Sequence, residues 1–197
     1  MPAVISILRG VNVGSHNRIK MDALRDVYQS LGLKDCQTFI QSGNVAFSSE
    51  ETDLAKLRNR IEGAIEKKFG FRPDVILRTA KEMRSVVVGS PFTDRKNIDP
   101  SKLLVTFLAE KPDAKARREF MKIKSDSEEM YLNGRELYIY FAEGLARPKI
   151  AWMSVVKTLR TTGTGRNWNT VLKLLEMAVK LETSGQSLAN GKTRLKH

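Results

Sequence analysis

The chain is poor in the groups that most metal and nucleophile chemistry requires. Its 197 residues include one cysteine, Cys36, and two histidines, His16 and His197. A lone cysteine closes no intrachain disulfide, and neither CxxC nor HxxxH spacing occurs, which excludes a disulfide scaffold and the common zinc motifs. Neither glycine of the first glycine-containing loop is followed by Lys and then Ser or Thr, and GxGxxG is missing, so Walker A and Rossmann phosphate loops are excluded. No cofactor and no bound metal are therefore expected. No apolar run approaches the ~18 residues of a membrane-spanning helix, so no membrane partner is expected. The opening residues, MPAVISILRGVNV, lack the basic segment and small-residue cleavage site of a secretory signal, making the reduced cytoplasm the expected location.

What is present is a globular composition, 41% hydrophobic and 28% charged, with a large basic excess: 34 Lys and Arg against 22 Asp and Glu. A chain of this length buries roughly 70% of its unfolded surface, enough for one large core or two small ones. The net charge of +12 is unevenly spread. Residues 1–92 carry +4, residues 93–145 carry 0, and residues 146–197 carry +8. A field concentrated in this way favours an anionic partner such as nucleic acid or a phosphorylated metabolite; a basic surface kept for solubility accounts for it equally well.

The apolar run AVISIL at 3–8 reads as a central strand buried on both faces. Met21, Leu24, Val27, Tyr28 and Leu31 then form one helical stripe ended by Gly32. Two β-rich stretches, 36–41 and 44–48, flank a Ser42-Gly43 turn and predict a hairpin. Leu54, Leu57, Ile61, Ala64, Ile65 and Phe69 repeat at helical spacing, and 74–79 is a further strand. The order β-α-β-β-α-β is the split βαβ pattern of ferredoxin-like domains. Thr79 and Glu82 have capping-box spacing for a third helix. Residues 89–101 are rich in turn formers. A second unit opens with the strand at 102–108, continues with a helix after Pro112, a hairpin around Asn133-Gly134 and a helix opened by Pro148. Where its fourth strand is due, TTGTGRNWNT runs into a helix carrying Trp168, Val171, Leu172, Leu175 and Ala178 on one side. The expected fold class is α+β, two ferredoxin-like βαββαβ-type subdomains in tandem with the second ending in helices. The expected division is 1–90, a linker at 91–101, 102–182, and a basic, disordered tail at 183–197. No residue-level repeat between the halves is evident.

Three loops carry the polar groups of interest. After the first strand, Arg9, Asn12 and Gly14 belong to a loop whose two glycines let backbone N–H groups converge on an anion; it serves equally as a plain strand-to-helix connection. The second loop is Gln41-Ser42-Gly43-Asn44, whose residue types also suit an ordinary hairpin turn. Third is the segment Arg166, Asn167, Trp168, Asn169 and Thr170 at a helix start, where free amides favour an anion. Asn167 as N-cap and Trp168 as a core anchor is the structural alternative.

Taken together and in order, LRGVNVG (8–14), NRIKM (17–21), IQSGNV (40–45), the helix ending FGF (69–71) and GRNWNTVLKLLEMA (165–178) resemble the bacterial domain-of-unknown-function family numbered 1697, over residues 3–180. The resemblance implies a tandem of ferredoxin-like subdomains and brings no established activity, substrate or cofactor. It marks Arg9, Asn12, Gly14, Lys20, Gln41, Ser42, Gly43, Asn44, Arg166, Asn167, Trp168 and Thr170 as signature positions. The basic tail after 183 is an extension beyond it.

The reading favoured by this inventory is binding of a small phosphorylated or carboxylate anion in a cleft between the subdomains by Arg9, Asn12, Gly14, Lys20, Gln41, Ser42, Asn44, Arg166, Asn167 and Thr170. Hydrolysis there would rest on transition-state charge stabilisation with water as nucleophile, His16 being the one evident base. The alternatives are nucleic-acid binding through the basic C-terminal segment, without an RNP1 pattern to support it, and a protein-interaction module with no ligand site.

Overall fold

Six buried residues in succession, Ala3–Leu8, make β1, and such a run can only be the middle of a sheet. The computed structural model describes the chain except residues 126, 146–147 and 194–197, with the backbone alone given for residues 185–193. It contains two four-stranded antiparallel sheets and, among the described residues, six α-helices. The chain divides into two compact units: Met1–Arg84 with the chain from Lys173 onward, and Ser85–Leu172.

In the first unit β1 leads to α1 (Met21–Ser30), β2 (Lys34–Phe39), β3 (Asn44–Ser48), α2 (Leu54–Phe69), β4 (Val75–Thr79) and the start of α3 (Ala80–Val88). The sheet order is β2-β3-β1-β4. Alternation along the strands sends Val4, Leu8, Val45, Phe47 and Leu77 into a core with Leu24, Val27 and Tyr28 of α1 and Leu57, Ile61 and Ile65 of α2. Each such side chain contributes about 1.5–3 kcal/mol by burial. Ser6 lies among them without penalty because its hydroxyl and that of Tyr28 share a 2.7 Å hydrogen bond. Asp53 caps α2 through the amides of Ala55 and Lys56, and Gly70, at φ 78°, ends it. The capping box is formed: Thr79 N–H donates to Glu82 and Glu82 N–H donates to the Thr79 hydroxyl.

The second unit continues with β5 (Leu103–Leu108), α4 (Ala114–Met121), β6 (Glu128–Asn133), β7 (Glu136–Phe141), α5 (Trp152–Thr158), β8 (Gly163–Asn167) and the start of α6 (Trp168–Thr193). Its sheet order, β6-β7-β5-β8, matches that of the first unit. The correspondence reaches single residues. Leu8 N–H donates to Gly43 O and Leu108 N–H to Arg135 O, both at 2.8 Å; Arg9 N–H donates to Asp74 O and Ala109 N–H to Thr162 O, both at 2.9 Å. Arg78 stands opposite Ile5 on β4, and Arg166 opposite Val105 on β8; both are buried and each donates to the carbonyl of the residue before it. A repeat that residue identities conceal is thus explicit in register.

The structure departs from these expectations at five points. The second unit does have a fourth strand, β8, where the glycine-rich segment read as a loop. Residues 91–101 are no free linker: Phe92 is buried, lies 5.8 Å from the Tyr140 ring and carries the Arg95 guanidinium at 4.8 Å, while Arg95 pairs with Glu129. An apolar ring among turn formers was enough to fasten the segment to its own unit. The chain from Lys173 groups with the first unit, and α6 continues through Thr193 where a basic, disordered tail over 183–197 was expected; residues 194–197 of that tail lie outside the described residues. Finally, the buried stripe of α6 runs through Trp168, Val171, Leu174, Ala178 and Leu181, leaving Leu172 exposed.

Candidate functional site

The connection from β1 to α1 is held at two apolar points and one polar hub. Val11 and Ile19 are buried in the first unit's core. Between them Asn12, at φ 52°, donates its side-chain amide to Ile19 O at 3.0 Å and to Gln41 O at 2.7 Å, while its oxygen accepts from Ile19 N–H at 2.8 Å. Asn is among the few residues that tolerate this left-handed conformation, so fold and hydrogen bonding make the same demand of position 12. Asn17, at φ 51°, bonds back to Gly10 O, and Asn12 N–H bonds to Asn17 O. Residues 13–18 then project as an exposed tip, with Gly14 at φ 57° and its carbonyl facing the Arg18 guanidinium.

Below the tip an open cleft of about 700 Å³ is lined by Asn12, Arg18, Ile19, Lys20, Met21, Asp22 and Gln41. That volume lies in the usual range of small-molecule sites. Lys20 occupies the N-cap position of α1 with extended backbone, and no side chain caps the helix. The first amides of α1 thus carry no side-chain cap and begin beside a lysine and an arginine, with Asp22 in the first turn; an uncapped helix start attracts anions. Asp22, the one acidic residue of the cleft, is paired with Arg25 at 2.9 Å. Asp53 caps α2, Asp113 caps α4 by accepting from Ala116 N–H, and Asn167 caps α6 by accepting from Asn169 N–H.

The structure brings together Asn12, Lys20 and Gln41. It gives the remaining sequence candidates other partners or another place. Arg9 is ion-paired with Asp74 at 2.7 Å. Ser42 and Asn44 belong to the β2–β3 hairpin, where the buried Asn44 amide donates to Phe39 O and to the Ser42 hydroxyl. Gly14 sits at the loop tip. Arg166, Asn167 and Thr170 lie in the second unit. Burial there pushes the Arg166 guanidinium down to about 10, and it donates to Thr164 and Gly165. Asn167 ties β8 to the Pro100–Lys102 turn through Ser101 O at 2.8 Å. Sequence reasoning missed Arg18 and Asp22. Arg18 stands in the signature segment NRIKM, and its position two residues before the α1 N-cap was the available signal.

The basic C-terminal segment is less free than its charge count suggests. Lys180 and Lys173 both hold Glu176, whose carboxyl they lower to about 2. Arg84 pairs with Glu182, and Lys149 with Glu143. Among the described residues no group of three or more His, Cys, Asp or Glu is placed to hold a metal ion, and no helix is long and apolar enough to cross a membrane.

Residues 1–138 match the model of a family described as "Protein of unknown function (DUF1697)", and the chain belongs to that family. No curated protein matches it. Among solved structures it is similar to the conserved bacterial protein SP0830 from Streptococcus pneumoniae, with a TM-score of 0.69 and 20% identity, covering 90% of this chain and 98% of that one. At that identity the likeness is one of fold.

Proposed function

We propose that this member of the DUF1697 family binds a small phosphorylated or carboxylate anion in the cleft at the start of α1. The observation that carries the reading is a substitution of roles between equivalent positions. At the N-cap of α4 the carboxylate of Asp113 occupies the helix terminus; at the N-cap of α1 the corresponding residue is Lys20, which supplies a cation and leaves the amides to an external anion. Arg18 adds a second cation, and Asn12 and Gln41, joined by the Asn12 amide donating to Gln41 O, also line the cleft. The reading is one of binding, because His16 does not line the cleft. The strand orders and the matched backbone bonds also support taking both units as ferredoxin-like.

The test is calorimetric titration with inorganic phosphate at low salt, repeated with Lys20→Asp. The wild-type chain should bind and the variant, which supplies its own cap, should not. Phosphate binding that survives Lys20→Asp removes the proposal. Oligonucleotide binding with a steep salt dependence and no phosphate binding would favour the basic C-terminal segment instead.

A further inference from the structure

We infer that two copies of this chain associate through the outer edge of β6, each adding a strand to the other's second sheet in an antiparallel register centred on Tyr131. The inference is independent of the anion site. Four strands end the two sheets: β2 and β4 in the first unit, β6 and β8 in the second. Neither β4 nor β8 has an exposed residue. β2 is exposed but spoiled for pairing, since its register breaks between Lys34 and Gln37 and its first two residues are a lysine and an aspartate held at φ 53°. Lysines and bulges of this kind keep an edge from taking a foreign strand. β6, the equivalent of β2 in strand order, has neither device. It pairs with β7 without a shift over all six residues, contains no Lys or Pro, and carries Met130, Tyr131 and Leu132 in succession.

The groups it offers follow from its register. Leu108 N–H donates to Arg135 O, so the odd-numbered residues of β7 bond β5 and the even-numbered ones bond β6. Glu129, Tyr131 and Asn133 lie opposite those even-numbered residues, and Met130 and Leu132 therefore turn their N–H and C=O groups outward. Among the described residues no other backbone group bonds them. The acidic charge of this edge is met from within the chain: Arg95 pairs with Glu129, and the buried Glu128 accepts from Ser125, Ser127 and the Lys149 amide. A charged peptide gains nothing from such an edge, whereas a second β6 matches it. Centred on Tyr131, the pairing exchanges bonds between Met130 and Leu132 of opposite copies and sets Glu129 against Asn133, so that no acid faces an acid. It also brings together two Tyr131 side chains that are 46% exposed in the single chain.

The test is sedimentation equilibrium of the full chain over a wide concentration range, followed by cysteine cross-linking. A strand overlap of residues 129–133 falls short of the about 800 Å² per partner of a standard interface, so the wild-type chain should form a weak dimer whose mass rises with concentration. Tyr131→Lys should weaken association at least about tenfold, because an edge lysine opposes strand addition. In the register proposed, the two positions 131 form a non-hydrogen-bonded pair about 4.5 Å apart at Cα, within disulfide reach, while the two positions 129 are about 14 Å apart. Cys36 is buried, so Tyr131→Cys adds the exposed thiol and should give a covalent dimer under dissolved oxygen with a copper catalyst; Glu129→Cys should not. A wild-type chain that is monomeric at every concentration, or association unchanged by Tyr131→Lys, overturns the inference. So does cross-linking as fast at 129 as at 131, or at neither.

Discussion

The two units share one strand order and one set of backbone bonds, yet β1 reaches α1 through twelve residues, 9–20, while β5 reaches α4 through five, 109–113. The short connection ends in its own cap, Asp113; the long one ends in Lys20 above an open helix start. A connection longer than its fold requires, and stabilised by a side-chain hub, is the usual place for function on a rigid scaffold. The second unit therefore serves as an internal control for the first, a copy of the strand order in which the corresponding helix start carries a carboxylate cap.

The sharpest contrast between the copies lies in their hairpins. Gly43, at φ 72°, has no room for a side chain: a Cβ there would collide with Val11 Cγ2 and come within 2.9 Å of Leu8 Cβ. Gly134, at φ 60°, would meet nothing nearer than a Glu136 carboxylate oxygen at 3.8 Å. Gly43→Ala combines left-handed strain with overpacking and should destabilise by about 3 kcal/mol, against about 1 kcal/mol for Gly134→Ala, which has the strain alone. Urea unfolding of the two variants measures both. Equal losses would mean that the 9–20 connection is not seated on the hairpin as described.

A second contrast is buried. Ser6 and Thr106 occupy the same position of the two central strands, and both are fully buried. The hydroxyl of Ser6 bonds that of Tyr28, whose own ionisation burial pushes well above the usual range; among the described residues the Thr106 hydroxyl has no partner. Ser6→Ala orphans the Tyr28 hydroxyl and should destabilise by about 1–2 kcal/mol. Thr106→Val removes an unsatisfied group with little change of shape and should stabilise by about 1 kcal/mol. Opposite signs from one structural position are the expected result, read from the midpoints of chemical unfolding.

Much of the first unit was legible in sequence because its apolar residues keep strict period: Leu24, Val27 and Tyr28 on one helix, Leu57, Ile61 and Ile65 on the next. The fourth strand of the second unit was not, because GTGRN has one usual strand former, Thr164, set between two glycines. The structure supplies the reason. A Cβ on Gly163 would press on Leu108 and Thr106, and one on Gly165 on Leu104 and Trp152, at 3.0–3.3 Å. Glycines that read as a loop are thus strand residues making way for large neighbours. The site was half legible. Asn12 and Gln41 were named from loop composition and Lys20 from the family resemblance, but which donors were already engaged, as Arg9 is by Asp74, depends on neighbours 65 residues apart in the chain. The internal repeat was legible as an order of elements and not residue by residue, because it is preserved in strand register while the side chains and helix caps have diverged.

The smallest expected effects test the comparison most directly, since they exchange the residues that distinguish the copies. Asp113→Ala removes a cap whose carboxylate lies 2.6 Å from the Ala116 amide, and should destabilise by about 1 kcal/mol. Lys20→Asp places the same group on α1 and should stabilise by a similar amount, through the cap and through the favourable meeting of a carboxylate with the helix dipole. A cleft that only connects two elements would gain that stability at no functional loss. A cleft kept open for an anion gains it at the expense of phosphate binding, so the thermal midpoint and the calorimetric titration should move in opposite senses in one variant. A Lys20→Asp protein that is no more stable than the wild type would show that α1 does not present the free terminus on which the comparison turns.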